Sequence, residues 1–295
     1  MHQPAPVRAV KVAEDRSLVA WDRGAGMSAC VRDEVVEVCD GRLSVHLKVA
    51  GDGPPLVFFH PLPGLKWERL LDRLAGSFTV YAPEHPGTTP GDPQAIREVH
   101  TFWELMLLYE ETLRSLALER PAVVGMSFGG MVAADLAASF PEAVGPLVLM
   151  SPVGLWRDDA PIKLVELVTG PPEAVPQVLY KHPESEEALA LQALPSDPDE
   201  VPGAIAQSIW NIGCTMKFAW PIADHGLARR LHRISAPTMV LWGRDDALVP
   251  VVYSGEFGGR IAGCRVEVLE DCGHDMQGDQ PELVLELISG FLRGA

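Results

Sequence analysis

The chain has 295 residues, 47% of them hydrophobic, which is enough to bury one large core or a core with an inserted module. Forty acidic against 24 basic residues leave a formal net charge of -16. Such a field repels nucleic acid and anionic lipid headgroups, so neither is an expected partner.

Neither end carries an apolar run of about 18 residues or a basic-then-apolar leader. We therefore expect no transmembrane span, no signal peptide and a cytoplasmic address. The expected partner is a small-molecule substrate, and the expected assembly a monomer or homodimer. Cys30, Cys39, Cys214, Cys264 and Cys272 are odd in number and scattered. They suit neither a disulfide framework nor a zinc site and read mostly as small buried hydrophobes.

Residues 1–32 are polar and weakly periodic and read as an extension. EVVEV (34–38) and LSVHLKV (43–49) alternate in polarity and are joined by Cys39, Asp40 and Gly41, which predicts an antiparallel hairpin. Six apolar runs follow: 55–59, 78–82, 122–126, 146–150, 238–242 and 266–269. Strands this continuously apolar are covered on both faces, which predicts a parallel sheet. Helical patterns fill 67–76, 101–116, 128–140, 251–262 and 281–293, several with proline at an end, where it is tolerated. The fold class is α/β, a mostly parallel open sheet with helices on both faces. Residues 153–225 break the alternation after the strand ending near residue 150. They read as a second, smaller module between the core parts 33–152 and 226–295. No internal repeat or low-complexity tract is present.

VVGMSFGGM (123–131) runs a buried strand into a buried helix with Ser127 at the join. Ligands of open α/β sheets sit beyond the carboxyl ends of the strands. Small residues two positions either side, Gly125 and Gly129, let the backbone reverse. The resulting G-x-S-x-G points a hydroxyl into the cleft and aims the Phe128 amide at a developing oxyanion. A serine nucleophile needs a base, and the base needs a carboxylate. His274, in a turn-rich loop after the last strand, is the candidate base. Asp245 and Asp246, just past the strand 238–242, are the candidate acids.

GMSFG, WGRDDALVP and the Gly273-His274 pair resemble the α/β-hydrolase family, and the resemblance runs from about residue 34 to the end. It implies a Ser127, Asp246, His274 triad, because the family's acid is usually the fourth residue of a G-x-x-D loop. It implies that Leu62, in HPLPG after the first parallel strand, donates a second oxyanion amide beside Phe128, although Pro61 stands where glycine is usual. It also implies that 153–225 is a helical cap. His60 reads as a structural residue of its loop, and Glu84 and His85 as either an accessory acid-base pair or loop supports.

Trp210, Met216, Phe218 and Trp220 are candidates for lining an apolar substrate pocket, or plain core. Arg229, Arg230 and Arg233 share a predicted helix with Leu227, Leu231 and Ile234 and read as its solvated face. No cofactor is implied and no cluster has metal-ligand spacing.

The resemblance implies a hydrolase cleaving an ester or lactone of a small-to-medium apolar substrate through an acyl-enzyme. A serine nucleophile excludes the alkyl-enzyme routes of the family's dehalogenases and epoxide hydrolases. The alternative enzyme is a carbon-carbon bond hydrolase of ring-cleavage type, which SFGG and GRDDALVP resemble. Met126 and Asp275 depart from the Asn and Trp usual there. A non-enzymatic small-molecule receptor of the same fold is the alternative outside catalysis.

Overall fold

Alternating side chains build the first edge of the sheet. β1 (Arg32–Val38) and β2 (Leu43–Ala50) pair antiparallel with Val36 opposite Val45. Cys39, Asp40 and Gly41 turn the chain between them, all at positive φ. The computed structural model describes residues 30–171, 174–220 and 223–295. Most of the predicted extension 1–32 therefore lies outside the described residues.

The predicted apolar runs form β3 (Pro55–Phe59), β4 (Thr79–Pro83), β5 (Ala122–Met126), β6 (Leu147–Met150), β7 (Thr238–Gly243) and β8 (Arg265–Leu269). They complete an eight-stranded sheet in the order β1-β2-β4-β3-β5-β6-β7-β8, parallel from β4 to β8. Period-2 alternation sends Val57, Phe59, Val123 and Val240 to one face. Helices α2 (Phe102–Ser115) and α3 (Phe128–Ser139) cover it. Leu56, Phe58, Val124 and Leu241 face the other way, onto α1 (Arg69–Ala75) and α10 (Pro281–Gly294). From β3 to β7 both faces are buried, which is why those strands carry almost no polar residues, whereas the edge strand β8 carries Arg265 and Glu267 and is buried only at Leu269.

The strand order reverses at β3: the chain steps outward to β4 and returns on the opposite side as β5. The carboxyl ends of β3 and β5 thus border the crevice where open α/β sheets bind ligands.

Between β6 and β7 lie α4 (Leu164–Thr169), α5 (Val175–Leu179), α6 (Glu186–Gln192) and the 19-residue α7 (Val201–Ala219). After β7, α8 (Val252–Gly258) ends sooner than predicted, at the Gly258–Gly259 pair, and α9 (Met276–Asp279) precedes α10. No helix among the described residues is long and apolar enough to cross a membrane.

Two expectations need correction. Residues 227–234 form two short 3-10 turns rather than one helix. Leu227, Leu231 and Ile234 are buried and Arg229 and Arg233 exposed as expected, but Arg230 is not part of a solvated face. It donates from Nε and Nη2 to the two oxygens of Asp135, at 3.0 and 2.6 Å. Asp135 lies on α3, whose residues 128–138 are all buried, and a carboxylate there requires a cation. Of the cysteines only Cys214 and Cys272 are buried; Cys39 and Cys264 are half-buried and Cys30 is exposed.

Replacing Arg230 with alanine should leave the buried Asp135 carboxylate without its cation. The expected loss is about 2 kcal/mol of unfolding free energy, below the range for a fully buried pair because Arg230 is partly solvated. Urea denaturation of the variant against wild type measures it.

Candidate active site

Ser127 joins β5 to α3 with φ 54° and ψ −114°, a conformation disfavoured for a side-chain-bearing residue by about 1–3 kcal/mol. Neighbouring backbone holds it there. Its amide donates to Met150 O (2.9 Å), and its carbonyl accepts from Met131 N (3.1 Å) and Val153 N (3.2 Å). The flanking glycines are required by contact. A Cβ on Gly125 would lie 2.4 Å from Gly129 O, and one on Gly129 would lie 2.0 Å from Phe59 O, at the end of β3.

The ends of β5, β6, β7 and β8 are stitched along one edge. Ser151 N donates to Leu241 O, Arg244 N to Leu269 O and Asp245 N to Cys272 O, all within 2.8–2.9 Å. Gly243 has no room for a side chain against the carbonyls of Cys272 and Gly273. This packing sets the loop after β7 beside the loop that carries His274.

Of the two candidate acids, Asp246 is the one bonded to the histidine: its Oδ2 is 2.8 Å from His274 Nδ1. Its Oδ1 accepts from the amides of Leu248 (2.9 Å) and Val249 (2.7 Å), which fixes the carboxylate in plane. Asp245 instead pairs with Lys181 of the inserted segment at 3.0 Å. Ser127, Asp246 and His274 are all buried. His274 Nε2 is buried without a hydrogen-bond partner among the described residues.

Burial works against the imidazolium of His274, but the charge and hydrogen bond of Asp246 and the charge of Asp275 outweigh it, so its pKa is raised above the ordinary 6.5. Asp275 is itself pushed up to about 6 by burial, and Glu68 to about 8 by burial and by repulsion from Asp275.

His60, at the end of β3, is fully buried. Its Nε2 accepts from His85 N (3.1 Å), so the ring proton sits on Nδ1 and is donated to Pro61 O (2.7 Å). Burial lowers its pKa to about 4, so the ring is a neutral tie between two loops. His85 is hydrogen-bonded to the Tyr109 hydroxyl, packs edge-on against Phe128 and His60, and has its pKa lowered by burial. No hydrogen bond joins it to Glu84, so His85 supports the loop by packing. Neither the Leu62 nor the Phe128 amide has an acceptor among the described residues.

The pocket candidates do not converge. Met216 and Phe218 join the core cluster, while Trp210 on α7 and Trp220 just past its end are 42% and 48% exposed.

Sequence reasoning missed Asp279. One of its oxygens accepts from Gly273 N (2.7 Å) and Lys181 N (2.9 Å), the other from His182 N (2.8 Å). It joins the histidine loop to the inserted segment, as does the Tyr180 hydroxyl on Asp275 (3.1 Å). No motif signals these contacts, because they link stretches nearly a hundred residues apart.

A sequence model described as the alpha/beta hydrolase family matches residues 56–287. The chain is 25% identical over 257 residues to a monoacylglycerol lipase of Xenopus laevis, covering 82% of this chain and 76% of that one. It is 26% identical over 270 residues to a 2-hydroxy-6-oxo-6-phenylhexa-2,4-dienoate hydrolase of Comamonas testosteroni, covering 84% and 91%. Among solved structures, the corresponding hydrolase of Rhodococcus sp. strain RHA1 superposes with a TM-score of 0.72 at 22% identity, over 90% of this chain and 99% of that one. A bacterial membrane phospholipase A also gives 0.72 at 22% identity, over 90% and 86%.

His274 should titrate above the ordinary histidine value, and Asp246→Asn should lower it, because only the charge of Asp275 then opposes burial. His60 should stay neutral down to about pH 4. Nitrogen-15 NMR of the imidazoles across pH 3–9 reads both.

Proposed function

The chain belongs to the alpha/beta hydrolase family, and from that membership we propose that it is a serine hydrolase cleaving a carboxylic ester or lactone of a small-to-medium, mostly apolar substrate. The observation that carries this reading is the 2.8 Å bond between His274 Nδ1 and Asp246 Oδ2, which leaves His274 Nε2 as the open nitrogen.

In this mechanism His274 Nε2 takes the Ser127 proton as Oγ attacks the substrate carbonyl. Asp246 stabilises the imidazolium, whose raised pKa suits a base that must hold a proton transiently. The amides of Leu62 and Phe128 receive the oxyanion, each donor being worth about 3 kcal/mol in the transition state. His274 then protonates the leaving alcohol as the tetrahedral species collapses to an acyl-enzyme. Water, deprotonated by the same nitrogen, releases the acid and restores Ser127. In this reading residues 153–225 form a cap over the site, between core parts 33–152 and 226–295. A cytoplasmic address is part of the proposal and rests on five unpaired cysteines.

A second reading, carbon-carbon bond hydrolysis, is favoured by the alignment over 91% of the Comamonas testosteroni relative. Activity on a ring-cleavage product with none on esters would select it.

Incubation with an aryl fluorophosphonate should add one phosphonyl group to wild type and none to Ser127→Ala, read by intact mass. Turnover of p-nitrophenyl acyl esters should fall by at least about 10⁴-fold in the variant. A wild type that takes no adduct, with turnover unchanged in Ser127→Ala, would overturn the serine hydrolase reading.

A further inference from the structure

Helix α7 is uncharged from Val201 to Met216, and Gln207, Asn211 and Thr215 lie on one of its faces, four residues apart. All three reach loops bordering the site. Asn211 Nδ2 donates to Pro63 O at 3.0 Å. Thr215 is 1% exposed, and its hydroxyl, 3.0 Å from Leu62 O, is shared with the carbonyls of Asn211 and Ile212 in its own helix. Gln207 Nε2 donates to Asn211 Oδ1 (2.7 Å), which orients the Asn211 amide with its nitrogen toward Pro63, and lies 3.4 Å from Thr88 O. The Trp210 indole donates to Gly87 O (2.9 Å). The approach is close enough that a Cβ on Gly64, already at φ +106°, would fall 2.4 Å from Asn211 Nδ2.

The turn Pro61–Gly64 can then be accounted for group by group. Pro61 and Pro63 have no amide hydrogen. Gly64 N donates to Pro61 O at 3.3 Å, and His60 Nδ1 meets the same carbonyl. The carbonyls of Leu62 and Pro63 have their only partners among the described residues on α7. Two polar backbone groups are left over, the Gly64 carbonyl at the end of the turn and the Leu62 amide, which is its one free donor, in a residue only 2% exposed. A buried amide without an acceptor is costly and rare. Here the carbonyls on both sides of it, Pro61 O, Leu62 O and Pro63 O, are all engaged, which keeps this amide from turning away.

We propose that Gln207, Asn211 and Thr215 are positioning residues: through the Leu62 and Pro63 carbonyls, α7 locks the turn that aims the Leu62 amide at the reacting carbonyl oxygen. This rests on the serine hydrolase reading and goes beyond it, because it makes the inserted segment a component of the oxyanion site and not only a cover. Docking of α7 and assembly of the oxyanion site are one event.

The test uses full-length Asn211→Leu, Thr215→Val, the double variant and Thr215→Ser. It combines steady-state kinetics on p-nitrophenyl butyrate with inhibition by an alkyl trifluoromethyl ketone. Ser127 Oγ adds to that ketone, its proton passes to His274, and the carbonyl oxygen becomes an anion at the oxyanion site. Each of the first two variants should lower kcat about 10-fold and the double variant about 100-fold, within the range for one oxyanion donor. KM should stay within about 2-fold, ketone affinity should fall in parallel with kcat, and Thr215→Ser should recover most of the loss. Thermal melting separates this from unfolding.

Wild-type phosphonylation of Ser127 with kcat and ketone affinity unchanged in the double variant would overturn the proposal and leave the serine hydrolase reading standing. A rise in KM with unchanged kcat would also overturn it, marking α7 as a binding surface only. No adduct and no turnover in wild type would bring down both.

Discussion

The whole site depends on how closely the start of α3 approaches the end of β3. No Cβ fits at Gly129, because it would meet the Phe59 carbonyl at 2.0 Å. That contact places the strained Ser127 elbow directly beside the loop beginning at His60, and both stand at the position where the strand order reverses. A side chain at 129 would push the helix off the sheet and separate the hydroxyl from the turn at 61–64. The cost of holding Ser127 at positive φ is offset by hydrogen bonds to Met150 and Val153 and by the tightly packed helix behind it.

Around that contact, the electrostatic roles divide by environment. His60 and His85 are buried with no carboxylate at hand, so their rings stay neutral and act as braces. His274 is equally buried but touches Asp246, and its affinity for a proton rises instead of falling. Three histidines within one region thus have two chemistries, set chiefly by Asp246, whose other oxygen is held by two amides, with the charge of Asp275 adding to it.

Much of this was legible in the sequence. Strands buried on both faces leave continuous apolar runs, so β3 to β7 could be located to within a residue or so, and the edge strand β8 by its alternating valines. The elbow was visible because strand, glycines and serine are adjacent in the chain. Asp246 could be separated from Asp245 only by resemblance, since both sit past the same strand and the difference is which one His274 meets. The contacts that stayed hidden are those between distant stretches. Arg230 reads as one of three similar arginines, and only the placement of Asp135 inside a fully buried helix singles it out. Asp279 looks like a residue at a helix junction until three amides from two segments converge on it. Trp210 and Met216 read as a pocket because aromatic and sulfur side chains cluster along α7, whereas helical geometry turns them to different sides.

Two of the grips between the inserted segment and the core lie beside the site. Residues 180–182 are bonded to the loop around His274 through Asp279 and Asp275 and to the loop after β7 through Asp245, and α7 is bonded to the turn at Pro61–Gly64. The segment is therefore not an interchangeable module. A chimera that grafts in a relative's insertion transplants half of two hydrogen-bond sets whose other halves remain in the host core. The natural graft unit would comprise the insertion together with residues 60–64, 84–88 and 271–279, and the loops of this fold are expected to diversify in concert rather than one at a time.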